Sequence, residues 1–268
     1  MPRIIMLLLI AIACSSHAAC TPAQVNAFVR SLPYPANADV PFFPRSALVD
    51  CKTMPDDTQR SLVAVLAPAQ ADMQHIEIAV IDASGAVQVR QQMPAGPGVE
   101  TILLDTLHYP LAANIHAIGV VSQYHFERDG RFATTLSLLL PESGTLRPVL
   151  SNLQTGEFDP ALVPEGADPE ASQCMDDMGQ PQLVGTATGY RRSLSVAASA
   201  SAGFADLIVK ETDRSQNMTK QGGNCVDTGH HHPAKTLLLH YDGKGYALPA
   251  DLGYEPGSRA VSRVPGAQ

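Results

Sequence analysis

The chain has no tryptophan, and aromatic residues make up only 5% of its 268 residues. Charged residues are also sparse, at 16% against 45% apolar residues. That composition excludes a disordered polyelectrolyte or a coiled coil and fits a chain that buries a core. Positive charge is in deficit: 18 Lys and Arg stand against 26 Asp and Glu, a formal net charge of −8. An acidic chain lacks the basic surface that duplex nucleic acid or an anionic membrane requires, so neither is an expected partner. Beyond the N-terminus no charge-free apolar stretch is long enough to cross a bilayer, so no transmembrane segment is expected. The G-x-S-x-G elbow, H-E-x-x-H, G-x-x-x-x-G-K-[ST] and G-x-G-x-x-G are all missing, as is any C-x-x-C pair. No local motif therefore argues for a nucleophilic hydrolase, a metalloprotease, a nucleotide site, a thioredoxin-like centre or a zinc ribbon. No catalytic residue and no cofactor is expected.

What is present begins at the N-terminus. Met1-Pro2-Arg3 is a short positive segment, and Ile4 to Ala13 is an apolar run of ten residues. That is half of what a membrane span needs, and it matches the apolar region of a secretory signal. Ser16-His17-Ala18 is a small-x-small site for cleavage before Ala19, which makes residues 1–18 a signal peptide. A competing reading takes Ala11-Ile12-Ala13-Cys14 as similar to a bacterial lipobox, with Cys14 as the lipidated residue. Either way four cysteines remain: Cys20, Cys51, Cys174 and Cys225. Four cysteines in an oxidising compartment imply two disulfides, with three connectivities open. Sequence neighbours favour Cys20–Cys51 and Cys174–Cys225. The expected location is the periplasm, with a lipid anchor in the envelope or secretion as alternatives.

The mature chain reads as all-β: a mainly antiparallel assembly, sandwich or propeller-like, behind one short helix. Thr21-Pro22 is a helix start, and Val25, Phe28, Val29 and Leu32 share a face. A Pro-rich connector extends to residue 46. Residues 47–249 then form the β-rich domain, with a division into halves near 151–181. His75–Asp82 and Arg131–Leu140 alternate as strands, the latter with Phe132, Thr134, Leu136, Leu138 and Leu140 on one face. Ile115–Tyr124, Thr145–Leu150, Leu183–Ala198 and Ala205–Glu211 are further strands. Asp242-Gly243-Lys244-Gly245 turns a hairpin between Leu237–Tyr241 and Tyr246–Leu248. Residues 250–268 read as a flexible tail.

Four groups of residues are candidates for chemistry or binding. His230-His231-His232 with His240 is the best metal candidate, chiefly through His230, His232 and His240. Consecutive residues of an extended chain point to alternate sides, so an exposed polar loop between Gly229 and Pro233 is the plainer reading. His125 beside Glu127, Arg128 and Asp129 suits acid–base work, although charged residues are ordinary in a turn. The acidic stretch 148–190, which lacks Lys and Arg, reads as a solvated loop because its carboxylates miss the spacing of a calcium loop. Tyr190-Arg191-Arg192 follows a Gly-containing turn and offers an aromatic and two guanidiniums as a partner-binding tip. The plainer alternative is a strand start with solvated arginines.

Gly203-Phe204-Ala205-Asp206-Leu207 and, further on, Leu239-His240-Tyr241-Asp242-Gly243-Lys244-Gly245-Tyr246 carry a resemblance. Together they resemble small exported bacterial proteins with a β-propeller-like sheet, a group that includes periplasmic inhibitors and immunity proteins for peptidoglycan hydrolases. The match covers residues 190–248. Ala197-Ala198-Ser199-Ala200-Ser201-Ala202 stands where related repeats carry a calcium loop, so the resemblance does not bring a calcium site with it. The apolar N-terminus, the four cysteines and the missing catalytic motifs point to an envelope binding protein whose partner is another protein, and the resemblance implies its most specific form, an inhibitor of a cell-wall hydrolase. A hydrolase with carboxylates assembled from distant strands is the alternative reading, and a passive structural envelope protein the third.

Overall fold

The computed structural model describes residues 20–32, 49–54, 57–70, 73–96, 98–126, 130–159, 173–175, 181–213, 216–229 and 235–254. The expected signal with Cys14, the Pro-rich connector, Glu127 to Asp129, His230 to His232, residues 160–172 and 176–180 of the acidic stretch, and residues 255–268 lie outside the described residues. Residues 148–159 and 185–190 of that stretch are strand, not the loop expected, because they pair with neighbouring strands.

Helix α1 (Pro22–Arg30) starts at Thr21, whose side chain and that of Gln24 cap each other's backbone N–H. The apolar face read from the sequence is the face it buries. Phe28 and Leu32, with Val29, pack on Val63, Val65, Ala79 and Ile81 of the sheet beneath. Two further contacts fix the helix there. Gln24 Nε2 donates to the Asp82 carbonyl at 3.3 Å. A Cβ on Gly85 would lie 2.9 Å from Ala27 Cβ, and the φ of +85° at that turn also favours glycine. The Cys20–Cys51 disulfide, with Cα atoms 5.6 Å apart, ties the start of the helix to the first strand.

That sheet is an antiparallel meander of β1 (Val49–Met54), β2 (Asp57–Gln70), β3 (Met73–Asp82) and β4 (Val87–Ala95). Its outer face carries α1. Its inner face, with Leu62, Ala64, Ile76, Ile78, Val80 and Met93, packs on a second sheet. The step between sheets falls between Ala95 and Val99.

The second sheet begins with four antiparallel strands: β5 (Val99–Ala112), β6 (Ile115–Phe126), β7 (Arg131–Glu142) and β8 (Thr145–Asp159). After them come β9 (Gln173–Met175), β10 (Pro181–Leu183), β11 (Gly185–Ser201), β12 (Phe204–Asp213), β13 (Gln216–Gln221), β14 (Asn224–Asp227) and β15 (Lys235–Leu239). β11 is the branch point. Its first residues pair β13, residues 188–191 pair β8, and the rest pairs β12, which in turn pairs β15. β13, β14, β9 and β10 form a peripheral ladder in which the Cys174–Cys225 disulfide ties β9 to β14, Cα atoms 5.0 Å apart.

β7 is buried on both faces. Ala133 and Leu139 enter the core shared with the first sheet. Leu136, Leu138 and Leu140 enter a second core with Val149, Leu153, Leu207, Val209 and Leu239. The fold is therefore all-β and antiparallel with one short helix, and its two sheets face each other as in a sandwich.

Two expectations about the C-terminal end need correction. The strand expected at Tyr246–Leu248 is only a single bridge between Tyr241 and Tyr246. The chain is drawn instead to β8, where Tyr246 N donates to the Val149 carbonyl at 2.7 Å. Residues 251–254, expected in the loose tail, also pack on β8. Gln154 N donates to Leu252 O at 2.8 Å, and Tyr254 N to Asn152 O at 2.9 Å. Leu252 and Tyr254 are buried, which gives the segment a hydrophobic reason to stay. The Tyr254 ring lies 4.6 Å from that of Tyr124, and burial pushes its phenol up to about 12.

Candidate functional site

Tyr190, Arg191 and Arg192 do not form a tip. They lie within β11, where it leaves β8 and continues beside β12. The exposed-tip reading therefore fails for Arg192, which is 3% exposed. Its Nε donates to Glu211 Oε2 at 2.7 Å, its Nη1 to the Gln154 carbonyl at 2.8 Å and its Nη2 to the Asp251 carbonyl at 3.3 Å. The guanidinium also stacks over the Tyr190 ring at 4.2 Å. Tyr190 is bonded to Glu157 Oε2 at 3.3 Å, and burial raises its phenol well above the ordinary tyrosine range. These two side chains join β8, β11, β12 and the C-terminal segment. Only Arg191 faces solvent.

Arg191 stands beside an open stretch of sheet that the sequence did not single out. Cross-strand register aligns His125, Phe132, Phe158 and Gly189 in one row over β6, β7, β8 and β11. The rings of His125 and Phe132 stack at 4.4 Å and 5°. Phe132 is 48% exposed, unusual for its size. His125 Nδ1 lies 3.0 Å from Glu100 Oε1, which orients the imidazole. A Cβ at Gly189 would lie 2.5 Å from the Glu157 carbonyl and 3.4 Å from the Phe158 ring, so only glycine lets the two strands approach this closely. Two residues along, a second row holds Gln123, Thr134, Gly156 and Arg191. The face thus combines stacked rings, an amide, a hydroxyl and a guanidinium, with a carboxylate at its margin.

His240 is brought to Asp206. Its Nδ1 lies 3.2 Å from Asp206 Oδ1 and 3.2 Å from Ser201 Oγ. Ser199 Oγ donates to Asp206 Oδ2 at 2.7 Å. The hydroxyls of Ser199 and Ser201, and then the imidazole, hold the Asp206 carboxyl below the usual range. A histidine oriented by a carboxylate supplies two of the three members of a hydrolytic triad. The serine, however, sits at the same ring nitrogen as the carboxylate, where it cannot pass its proton to Nε2. Among the described residues, no three His, Cys, Asp or Glu side chains gather as metal ligands.

A shallow cleft of about 400 Å³ lies between Pro148, Val149 and Ser151 of β8 and Asp242 to Leu248. Its carboxylate, Asp242, is occupied: Oδ1 accepts from Lys244 N and Gly245 N at 2.8 Å each. Those bonds place its pKa below the usual carboxylate value. The cleft lining does not supply the pair of carboxylates that the hydrolase reading calls for.

Both disulfides fall as the sequence neighbours suggested, Cys20 with Cys51 and Cys174 with Cys225. Phe132, Phe158 and Glu100 were missed. The available signal was an exposed-side phenylalanine in an alternating strand, but the row it belongs to exists only once three strands are in register. Among the described residues no helix is long and apolar enough to cross a membrane. Compared with family models, curated proteins and solved structures, the chain matches none of them.

Proposed function

We propose that this chain is an exported binding protein of the cell envelope whose partner is another protein, with inhibition or immunity toward a cell-wall hydrolase as its most specific form. The observation that carries the reading is the open face of β6, β7, β8 and β11. There the His125–Phe132 stack, Phe158 and Arg191 are presented on paired strands, not on a loop. Aromatic rings and arginine are the side chains that most often dominate protein interfaces, because they offer large area and fixed donors at low entropic cost. The two disulfides support an oxidising compartment, in keeping with the apolar N-terminal run. The resemblance around residues 190–248 supports the hydrolase as partner.

The test is a pull-down from an envelope extract with the intact protein and with Phe132→Ala and Arg191→Ala, followed by assay of the captured hydrolase. The reading expects one stoichiometric hydrolase whose activity falls on binding. Each substitution should weaken capture at least tenfold without lowering thermal stability. Capture that both variants retain would remove the face from the interface. Capture of a partner with no hydrolase activity would remove the inhibitor form.

A further inference from the structure

Two phenyl rings on the open face lean apart. Phe132 and Phe158 are cross-strand partners on β7 and β8. Phe132 stacks on His125 of β6. Phe158 extends the other way, over β11, where its Cδ2 lies 3.4 Å from the position a Cβ on Gly189 would take. Each ring therefore rests on a neighbour outside the pair, and the space between the rings lies over the β7–β8 pairing. Two residues along, the pair is Thr134 with Gly156, and Gly156 brings no side chain into that space. The result is a short slot with aromatic walls that runs on over a glycine.

The slot ends at positive charge. Arg191 of β11 pairs Gly156. Lys210 of β12 is its diagonal neighbour, because Arg191 pairs Thr212 and Ser193 pairs Lys210. Diagonal side chains on one side of a ladder lie about 7–8 Å apart, so one short acidic segment can reach both. Arg191 and Lys210 are exposed, and among the described residues neither head group has an ion-pair or hydrogen-bond partner. Arg60, Arg90, Arg131, Arg147 and Arg192, by contrast, each lie beside a carboxylate. In a chain with a formal net charge of −8, two cations left without acids mark a place where the acid comes from elsewhere. At the opposite margin stands a carboxylate, Glu100, 3.0 Å from His125. The face therefore has a direction: acid at β5, rings in the middle, cations at β11 and β12.

We propose that the slot between Phe132 and Phe158 takes an aromatic side chain of the partner protein, and that Arg191 and Lys210 bind carboxylates next to it in the partner's sequence. This rests on the reading of the face as the partner-binding surface and adds the chemistry of the partner. A flat ring between two phenyl rings gains contact area and the favourable geometry of aromatic pairs. A carboxylate can meet the Arg191 guanidinium with two parallel hydrogen bonds, and Lys210 adds a point charge beside it. Glu100 repels an acid at the far margin, so the segment lies in one direction only. The ring supplies the buried anchor, and the exposed cations supply steering and register.

The test pans short random peptides displayed on phage against the intact protein at low ionic strength. Enriched sequences should carry Phe, Tyr or Trp within two residues of Asp or Glu. Binding of the best synthetic peptide should fall at least tenfold in Phe132→Ala and in the double variant Arg191→Glu with Lys210→Glu, and it should weaken as salt rises. All three positions are exposed, and an unchanged melting temperature shows that the variants fold. No enrichment, enrichment of sequences without acids, or a peptide whose affinity the variants keep would overturn the proposal. So would retention on polygalacturonate with no peptide enriched, which gives the slot to an acidic glycan. Failure of the broader reading is seen separately. Peptides that bind as expected, while the envelope extract yields no hydrolase, remove the hydrolase and keep the slot. A hydrolase captured undiminished by the charge-reversed variant keeps the partner and overturns the role of the cations.

Discussion

A guanidinium taken out of water loses hydration that only a full set of oxygen partners returns. Arg192 has that set: the Glu211 carboxylate and the carbonyls of Gln154 and Asp251. Removing it leaves Glu211, which is 8% exposed, with the Lys235 ammonium at 3.8 Å as its remaining ion-pair partner among the described residues. Arg192→Ala should therefore cost about 3–5 kcal/mol, read as a lower midpoint in urea denaturation. Arg192→Lys should recover only part of it, because one ammonium cannot span three acceptors that a planar fork reaches together. A lysine variant as stable as the parent would show that charge alone matters there. None of this was legible in the sequence. A Tyr-Arg-Arg after two glycines looks like a turn, and the partner that makes Arg192 internal lies 19 residues away.

Strands were legible where small or polar residues keep an alternation even under burial. β3 and β7 are covered on both faces, but Glu77 and Ala79 in β3, and Thr135 and Ser137 in β7, preserve the period, and both strands were located closely. β2 was missed because its run from Ser61 to Ala67 is buried almost throughout, with α1 on one side and the second sheet on the other. A strand covered on both faces loses its period. β5 was missed because Pro110 interrupts it, yet Pro110 is exposed in a strand with one free side, where proline is tolerated. That free side is guarded from β1. Asp50 Oδ2 accepts from Leu104 N at 2.7 Å, and Lys52 Nζ donates to Leu104 O at 2.5 Å. The two side chains occupy the donor and acceptor that another strand would use. Asp50→Ala should destabilise by about 1–3 kcal/mol, speed exchange of the Leu104 amide, and increase self-association on concentration. An unchanged Leu104 exchange rate would mean that the amide is protected by something other than Asp50.

At the scale of the molecule, two cores share β6 and β7, since neighbouring residues such as Leu138 and Leu139 enter different ones. Neither core can open without exposing one face of the same strands, so the two sheets should melt as one unit. The peripheral ladder is held differently. Among the described residues β13 pairs with the main sheet through Gly185, Thr186 and Ala187 of β11, and the ladder pairing of β9 with β14 is a single residue pair, Met175 with Asn224. Among the described side chains of β9, β13 and β14, only Cys174 is buried. The Cys174–Cys225 bond spans 51 residues and should contribute about 3–4 kcal/mol by limiting the unfolded chain. Its loss should not be spread evenly. In Cys174→Ser with Cys225→Ser, hydrogen exchange at β9, β13 and β14 should accelerate by two to three orders of magnitude, while β6 and β7 keep the exchange rates of the parent. Thermal unfolding followed at Tyr124, in the shared core, should then shift little. If instead every strand loses protection in step, the ladder is part of the same cooperative unit, and the three residues of β11 transmit more than their pairing implies.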